Sequence, residues 1–448
     1  MSIGIKVKKG LDINIIGAIP AGVTPVEIPS ATVAIIPDDF TGLIPKMELR
    51  EGDPVKAGQP LFHSKLDETL KVVSPMTGTV KAIVRGERRK IERIVVEGAA
   101  GEPLKFDTAT ALKTPKAARE LLLTSGMWAM MRQRPFDIVP AADATFRDIF
   151  VTGFDSAPLG WYQTDFTADD IKEIEAAVKL LAMLTAGKVY ISRRPGMNLP
   201  DIKGAEIVDV EGPHPASNVG TVIAAVSPVN KGETVGCLSL LTLKRIGRLL
   251  LTGTLDCSTI VAVTGSEVKN PRLVKTVIGA EISPLLKDNL ADNGQHKRII
   301  SGNVLTGKTV EESGYLRAPY TQITVIPEGD DKAEFMGWAS LSPSKQSTSP
   351  TFPGHFLARK LFRPDARLLG GRRAMIMSGE YDKVFAMDIL PEYLIKAIIA
   401  KDIDRMEQLG IYEIAPEDFA LAEYVDTSKL ELQKIVREGL DYLRKELS

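Results

Sequence analysis

Between Glu48 and Val80 the chain reads ELREGDPVKAGQPLFHSKLDETLKVVSPMTGTV, and no other stretch limits the fold as strongly. Its apolar residues come in short runs closed off by Gly52, Pro54, Gly58, Pro60, Pro75 and Gly78, which leaves room for strands and turns but not for a helix. Val33 to Ile36, Val72 to Val73, Thr79 to Val84 and Ile91 to Val96 read the same way, separated by turns such as Pro37-Asp38-Asp39. Ile15 to Ile19 and Val26 to Pro29 are expected to add strands to this module. An all-β unit is therefore expected over 1–110, leaving through a polar, helix-prone passage from Thr114 to Ser125.

The same stretch resembles the biotinyl/lipoyl family. Its first half-sheet carries E-G-D-x-V-x-x-G-Q-x-L, filled here by Glu51, Gly52, Asp53, Val55, Gly58, Gln59 and Leu61. Its second carries A-P-x-x-G-x-V, matched by Pro75, Gly78 and Val80, with Ser74 in place of Ala. In that family the hairpin between the halves presents a lysine for modification. Counting back from Gly78 puts Asp67 at that position, and a carboxylate cannot form the amide that attaches biotin or lipoate. Lys65, two residues away, reads as a solvated tip residue, so the module is expected to be structural.

A chain of 448 residues is too long for one core and divides into several domains. With 44% apolar and 25% charged residues its composition is that of a soluble globular protein. Fifty-six basic residues against 57 acidic ones argue against a polyanion partner such as nucleic acid. The most apolar window, Val235 to Leu251, is broken by Lys244, Arg245 and Arg248, so no membrane span is expected. The start, MSIGIKVKKGLDI, lacks the apolar core of a signal peptide, and a cytoplasmic location is expected. Two cysteines, Cys237 and Cys257, cannot supply the four thiolates of an all-cysteine iron–sulfur cluster. His63, His214, His296 and His355 show no metal-ligand spacing.

From Ile149 the period changes. IFVTG is followed by Ile171, Ile174, Val178, Leu181 and Leu184 at helical spacing, with a capping-box-like start at Thr167 and Asp170 and a stop at Gly187. VYIS, Ala205 to Val210 and Val222 to Val226 read as strands and Leu238 to Leu251 as a helix, giving a Rossmann-like α/β domain over 111–258. IVAVTG, then VKNP and a helix expected at Arg272 to Ile278, resemble the SLBB module, a β-grasp-like fold, over 259–330. The rest, 331–448, reads as a loop-rich region from 340 to 375 and helices at Pro391 to Ala400, Ile403 to Leu409, Pro416 to Tyr424 and Ser428 to Lys445. The expected class is multidomain α+β.

Several motifs invite chemistry. Gly302 to Thr309, GNVLTGKT, fits the P-loop pattern, but Gly314 and Pro319 interrupt the helix such a loop must open, so a turn is preferred to a nucleotide site. No G-x-G-x-x-G follows a strand, which argues against a dinucleotide cradle. In GPHPA, two prolines hold His214 at a fixed angle, either as a rigid turn or to meet a quinone carbonyl. Trp128 to Phe136 mixes apolar bulk with Arg132 and Arg134, which suits packing first and a planar polar ring with an apolar tail second. Ala420 to Lys429 looks like the helix that carries cluster ligands in ferredoxin-like tails, with Ala422 and Asp426 where thiolates would stand.

Taken together, KKGLDI, EGDPVKAGQPLF, RQRPFDIVP, GPHPA, VKNPRLVKTVIGA and SGNVLTG occur in the order seen in the NqrA family of the Na+-translocating NADH:quinone oxidoreductases, six-subunit bacterial membrane pumps. The chain resembles that family over essentially its whole length. The resemblance implies a peripheral subunit on the cytoplasmic face of the inner membrane, held by integral and flavin-bearing subunits B, C, D, E and F. The complex oxidises NADH, reduces ubiquinone or menaquinone and exports Na+. It further implies that flavins, the iron–sulfur centre and NADH belong to the partners. No catalytic residue, metal or covalent cofactor is expected here, and quinone contact is expected at Arg132, Arg134, Phe136 and His214. The isolated chain is not expected to be catalytic. A stand-alone carrier or ligand-binding protein modified at Lys65, and a P-loop protein using Lys308, remain the alternatives.

Overall fold

The computed structural model describes residues 2–331, 345–348, 353–357 and 360–447. Parts of the loop-rich region expected at 340–375 lie outside the described residues. The Gly- and Pro-punctuated N-terminal segment forms two small sheets. One orders Thr32–Ile35, Ile91–Gly98, Gly78–Arg85 and Pro54–Val55; the other orders Pro45–Met47, Pro60–Ser64 and Asp67–Val73. Leu61, Phe62, Val80 and Ile94 fill the space between them and are fully buried. Gly78 is needed for close approach, since a Cβ there would stand 1.9 Å from the Glu97 carbonyl oxygen.

Beyond it lies a six-stranded α/β sheet in the order Ile3–Lys6, Glu206–Glu211, Val189–Arg193, Ile149–Thr152, Val235–Ser239, Arg132–Arg134. All neighbours run parallel except the last pair, Arg132–Arg134 against Val235–Ser239. Helix Ala168–Leu181 starts at the capping box read from Thr167 and Asp170. It ends at Leu181, six residues before Gly187. A further six-stranded sheet orders Lys308–Val310, Lys297–Ser301, Gln322–Pro327, Ser258–Thr264, Arg272–Val277 and Val26–Glu27. The C-terminal helices, among them Pro391–Ala400, Ala420–Val425 and Leu432–Leu447, enclose their own core around Leu394, Phe419, Ala422 and Leu440.

Four expectations are corrected. Arg272 to Ile278 is a strand, not a helix: Val274, Thr276 and Val277 are β-branched and the segment pairs antiparallel with Ser258–Thr264. Val222 to Val226 belongs to the helix Val219–Val226, an ambiguity inherent in short apolar runs. The helix expected from Leu238 begins at Leu240, because Val235–Ser239 is a strand and the Ser239 hydroxyl caps the helix by accepting from the Thr242 amide. Val26–Glu27 pairs with Val274 and Lys275, and Ile15 bridges to Phe362, so neither joins the N-terminal half-sheets. Ile3–Lys6 likewise enters the α/β sheet through Val208 to Glu211. The first thirty or so residues thus tie the other units together through pairings that no local pattern encodes.

Candidate functional site at the junction of the domains

Arg132 and Arg134 stand two residues apart on the edge strand and so on one face of it, yet each long side chain reaches its own set of partners. Arg132 donates through Nη2 to the backbone carbonyl of Asp39 in a short hydrogen bond. The Asp39 carboxylate accepts from Arg317 Nε at 2.5 Å and from the Ala318 amide at 3.0 Å. Burial raises the Asp39 pKa while Arg317 opposes the rise. Tyr320 stands close by, donating to the Thr306 carbonyl at 2.8 Å, and burial pushes its hydroxyl up to about 12. Next to Asp39 and Arg317 in the chain, Phe40 and Ala318 line an apolar crevice with Met127, Met130, Cys257 and others. Its enclosed volume is about 30 Å³, and the space reaches about 350 Å³ when its solvent-open mouth is included.

Arg134 reaches a different set of partners and is only 1% exposed. Its Nη2 meets Glu417 Oε1 at 2.9 Å and Asp418 Oδ2 at 3.8 Å, and its Nη1 meets Asp137 Oδ1 at 3.5 Å. Burial works against the guanidinium charge, but the three carboxylates more than offset it and hold the group protonated. Burial and the neighbouring Asp418 push Glu417 up to about 7, with Arg134 pulling the other way. Burial raises Asp418 as well. The Asp418 Oδ2 accepts from the Ala415 amide at 2.8 Å. The same carboxylate presses on Gly220 near the start of helix Val219–Val226, where a Cβ would come within 2.7 Å of both its oxygens. It thereby sets a negative charge at that helix's positive end, where the Asn218 side chain caps no amide and donates instead to the Glu417 carbonyl at 3.3 Å.

After Arg134 the backbone makes a turn with Phe136 at φ 78° and Asp137 at φ 50°, a left-handed pair that needs outside support. Arg437 of the last helix supplies it, donating to the Phe136 carbonyl at 2.7 Å and the Asp137 carbonyl at 3.2 Å. The Phe136 ring meets Tyr412 edge-on, 6.3 Å between centroids. His214 is buried on another side of the C-terminal helices. Its amide donates to Asp12 and its Nδ1 lies 3.1 Å from Ser156 Oγ, which in turn bonds Ser217. Burial pushes the imidazole down to about 4, so it is neutral at neutral pH. Pro215 and Asp418 line one small pocket, so the His214 turn reaches the acidic pair. Of the four residues expected to meet quinone, Arg134 and Phe136 therefore face the C-terminal helices, His214 faces a serine pair, and Arg132 bonds the carbonyl of Asp39, the chain neighbour of the crevice-lining Phe40.

Asp39, Arg317, Tyr320, Glu417 and Asp418 were not singled out from the sequence, where each is an ordinary polar residue; only their shared proximity makes them notable. The carboxyl ends of the parallel strands, where such sheets usually receive ligands, are covered by the chain itself. Gln322 of the neighbouring sheet donates to the Pro158 carbonyl there, and the loop through His214 packs beneath the C-terminal helices.

The other motifs have local uses. In GNVLTGKT the Asn303 side chain takes up the Leu305 and Thr306 amides, and Lys308–Val310 is a strand, so the loop's amides are engaged internally and no helix follows. At the carrier-like hairpin, Asp67 accepts from the backbone and hydroxyl of Thr69. In the ferredoxin-like tail, Ala422 is fully buried and Asp426 accepts from the amides of Ser428 and Leu430. Among the described residues no group of His, Cys, Asp and Glu could hold a metal ion, and no helix is long and apolar enough to cross a membrane.

Three family descriptions match the chain in order: an NqrA N-terminal barrel-sandwich hybrid domain over residues 5–99, an NqrA second alpha/beta domain over 113–255 and an NQRA C-terminal domain over 260–312. The chain is 36% identical to the NqrA protein of the Na(+)-translocating NADH-quinone reductase of Pasteurella multocida over 449 residues, covering 99% of this chain and 100% of that one. Identity is 36% over 450 residues with the corresponding protein from Neisseria meningitidis serogroup C, and 37% over 451 with that from Serratia proteamaculans, each covering 99% of this chain and 100% of the relative.

Proposed function

The chain belongs to the NqrA family of the Na+-translocating NADH:quinone reductase, and from that premise we propose that it is a docking subunit that also lends one side of a quinone site. It sits on the cytoplasmic face of the bacterial inner membrane, held by the integral and flavin-bearing subunits B to F. NADH, the flavins and the iron–sulfur centre belong to those partners, and this chain carries no redox centre. The complex passes electrons from NADH to ubiquinone or menaquinone and exports Na+.

One observation carries the quinone reading: Phe40 and Ala318 of the apolar crevice are the chain neighbours of Asp39 and Arg317, and Arg132 and Arg317 both bond Asp39. A ring with two carbonyl oxygens and an isoprenoid tail needs such a pairing of guanidinium donors with apolar walls. The enclosed part is too small for the ring, so the mouth must widen on binding. Arg132 makes the direct contact, while Arg134, Phe136 and His214 keep the junction in shape. The test is Arg132→Ala in the intact complex. Quinone KM rises about tenfold or more, in line with one lost charge-assisted hydrogen bond, while NADH oxidation by an artificial electron acceptor is unchanged. Unchanged KM and inhibitor potency would remove the quinone contact. Failure of the tagged chain to bring down membrane and flavin-bearing proteins from gently solubilised membranes would remove the docking role.

A further inference from the structure

We propose that the seam between the C-terminal helices and the α/β sheet is a proton-operated latch, in which the Glu417–Asp418 pair holds one exchangeable proton beside Arg134 and loosens the helices when it is lost. The argument begins with charge. Arg134 is 1% exposed and faces three carboxylates, at 2.9 Å, 3.5 Å and 3.8 Å. Asp137 keeps 30% of its side chain in solvent and is relieved there. Glu417 and Asp418 are adjacent and share the same guanidinium, so two full negative charges would stand against one positive charge that is itself sealed from solvent. One proton on the pair removes that excess.

The pair differs within itself. Asp418 is 3% exposed, bonded to the Ala415 amide and set against the positive end of helix Val219–Val226; the bond and the helix end both favour its charged form. Its Oδ1 nonetheless has no hydrogen-bond partner. Glu417 keeps 41% of its side chain open to solvent, which gives a proton a way in and out.

The other charged and titratable groups facing the pair do not take this role. Arg134 remains charged, as its carboxylates dictate. Burial pushes the Cys237 thiol, on the strand behind it, up to about 12 and the Tyr320 hydroxyl, across the junction, also up to about 12, so both stay neutral. Arg437 is committed to the Phe136 and Asp137 carbonyls and to Asp441. Phe385, Ala386 and Met387, which line the small pocket with Asp418, carry no titratable group, and His214, next to Pro215 of that pocket, is pushed down to about 4 by burial and is neutral throughout.

The seam can transmit the change. The left-handed turn at Phe136 and Asp137 lies between Arg134 and Arg437, so the repulsion that Glu417 exerts on Asp418 and Asp137 once its proton is lost acts on a segment that the last helix holds. The sign follows from the direction of the shift. A carboxyl raised above its unfolded value stabilises the docked state at low pH, and that contribution fades as pH rises through neutrality.

The experiment is amide hydrogen exchange on the isolated full-length chain at about pH 6 and about pH 8, corrected for intrinsic rates, with strand Ser258–Thr264 as internal reference. Opening of Ala420–Val425 relative to that strand rises severalfold, the roughly tenfold limit for one proton being reduced by Glu417's exposure. Glu417→Gln, which mimics the protonated acid, abolishes the rise. An unchanged ratio in the wild type, or the same rise in the variant, overturns the latch. Carboxyl-carbon NMR of the unaltered chain provides a check that needs no variant: a Glu or Asp carboxyl titrating near neutrality supports the proposal, and titration of every carboxyl in the ordinary acid range ends it. Neither outcome bears on the docking reading, which the pull-down tests separately.

Discussion

The two ends of one three-residue strand lead into opposite electrostatic settings. At the Arg132 end, two guanidinium groups converge on one aspartate and its carbonyl, beside an apolar crevice. At the Arg134 end, one guanidinium sealed from solvent answers for three carboxylates. A surplus of cations beside a crevice is suited to receiving an electron-rich oxygen. A surplus of anions around one buried cation is suited to holding parts together and to taking up a proton. Placement in the fold separates two arginines that the sequence spaces two residues apart.

That contrast fixes the order of effects. Arg134→Met leaves Glu417 and Asp418 uncompensated and is expected to cost about 3–5 kcal/mol, read from denaturant midpoints of the full chain. Arg317→Met leaves Asp39 the Ala318 amide and the nearby Arg132, and since Asp39 can accept a proton the expected loss is about 1–2 kcal/mol. Equal losses for the two would break the asymmetry. Lys308→Ala, in the P-loop-like hairpin, removes a side chain from an exposed strand start. It should change stability by less than about 0.5 kcal/mol and leave the complex's turnover untouched. A turnover defect there would reopen the nucleotide reading.

Much of the architecture was legible. The capping box at Thr167 and Asp170, the helix beginning at Pro391 and the paired runs of the barrel-sandwich all declare themselves within a few residues, because turn glycines, caps and periodicity are local. The misread stretches were those where local signals tie. Arg272 to Ile278 and Val222 to Val226 are short stretches whose state is set by the partner they pack against. Of the junction, Arg132, Arg134, Phe136 and His214 were visible as unusual residues, but their roles were not. Glu417 stands 283 residues from Arg134 and Arg317 stands 278 from Asp39, and nothing in either neighbourhood announces the other.

By itself the sequence determined the list of modules and their order, the absence of a lysine at the modification position of the carrier hairpin and the membership of the family. Each of these rests on residues close together in the chain or on their succession along it. Tertiary structure alone decided which arginine bonds the Asp39 carbonyl beside the crevice-lining Phe40 and which is sealed against acids. It also decided that the first thirty or so residues lace together the α/β sheet, the SLBB-like sheet and the C-terminal region. Electrostatic character depends on distance and burial, and those exist only once segments hundreds of residues apart have been brought within a few ångströms.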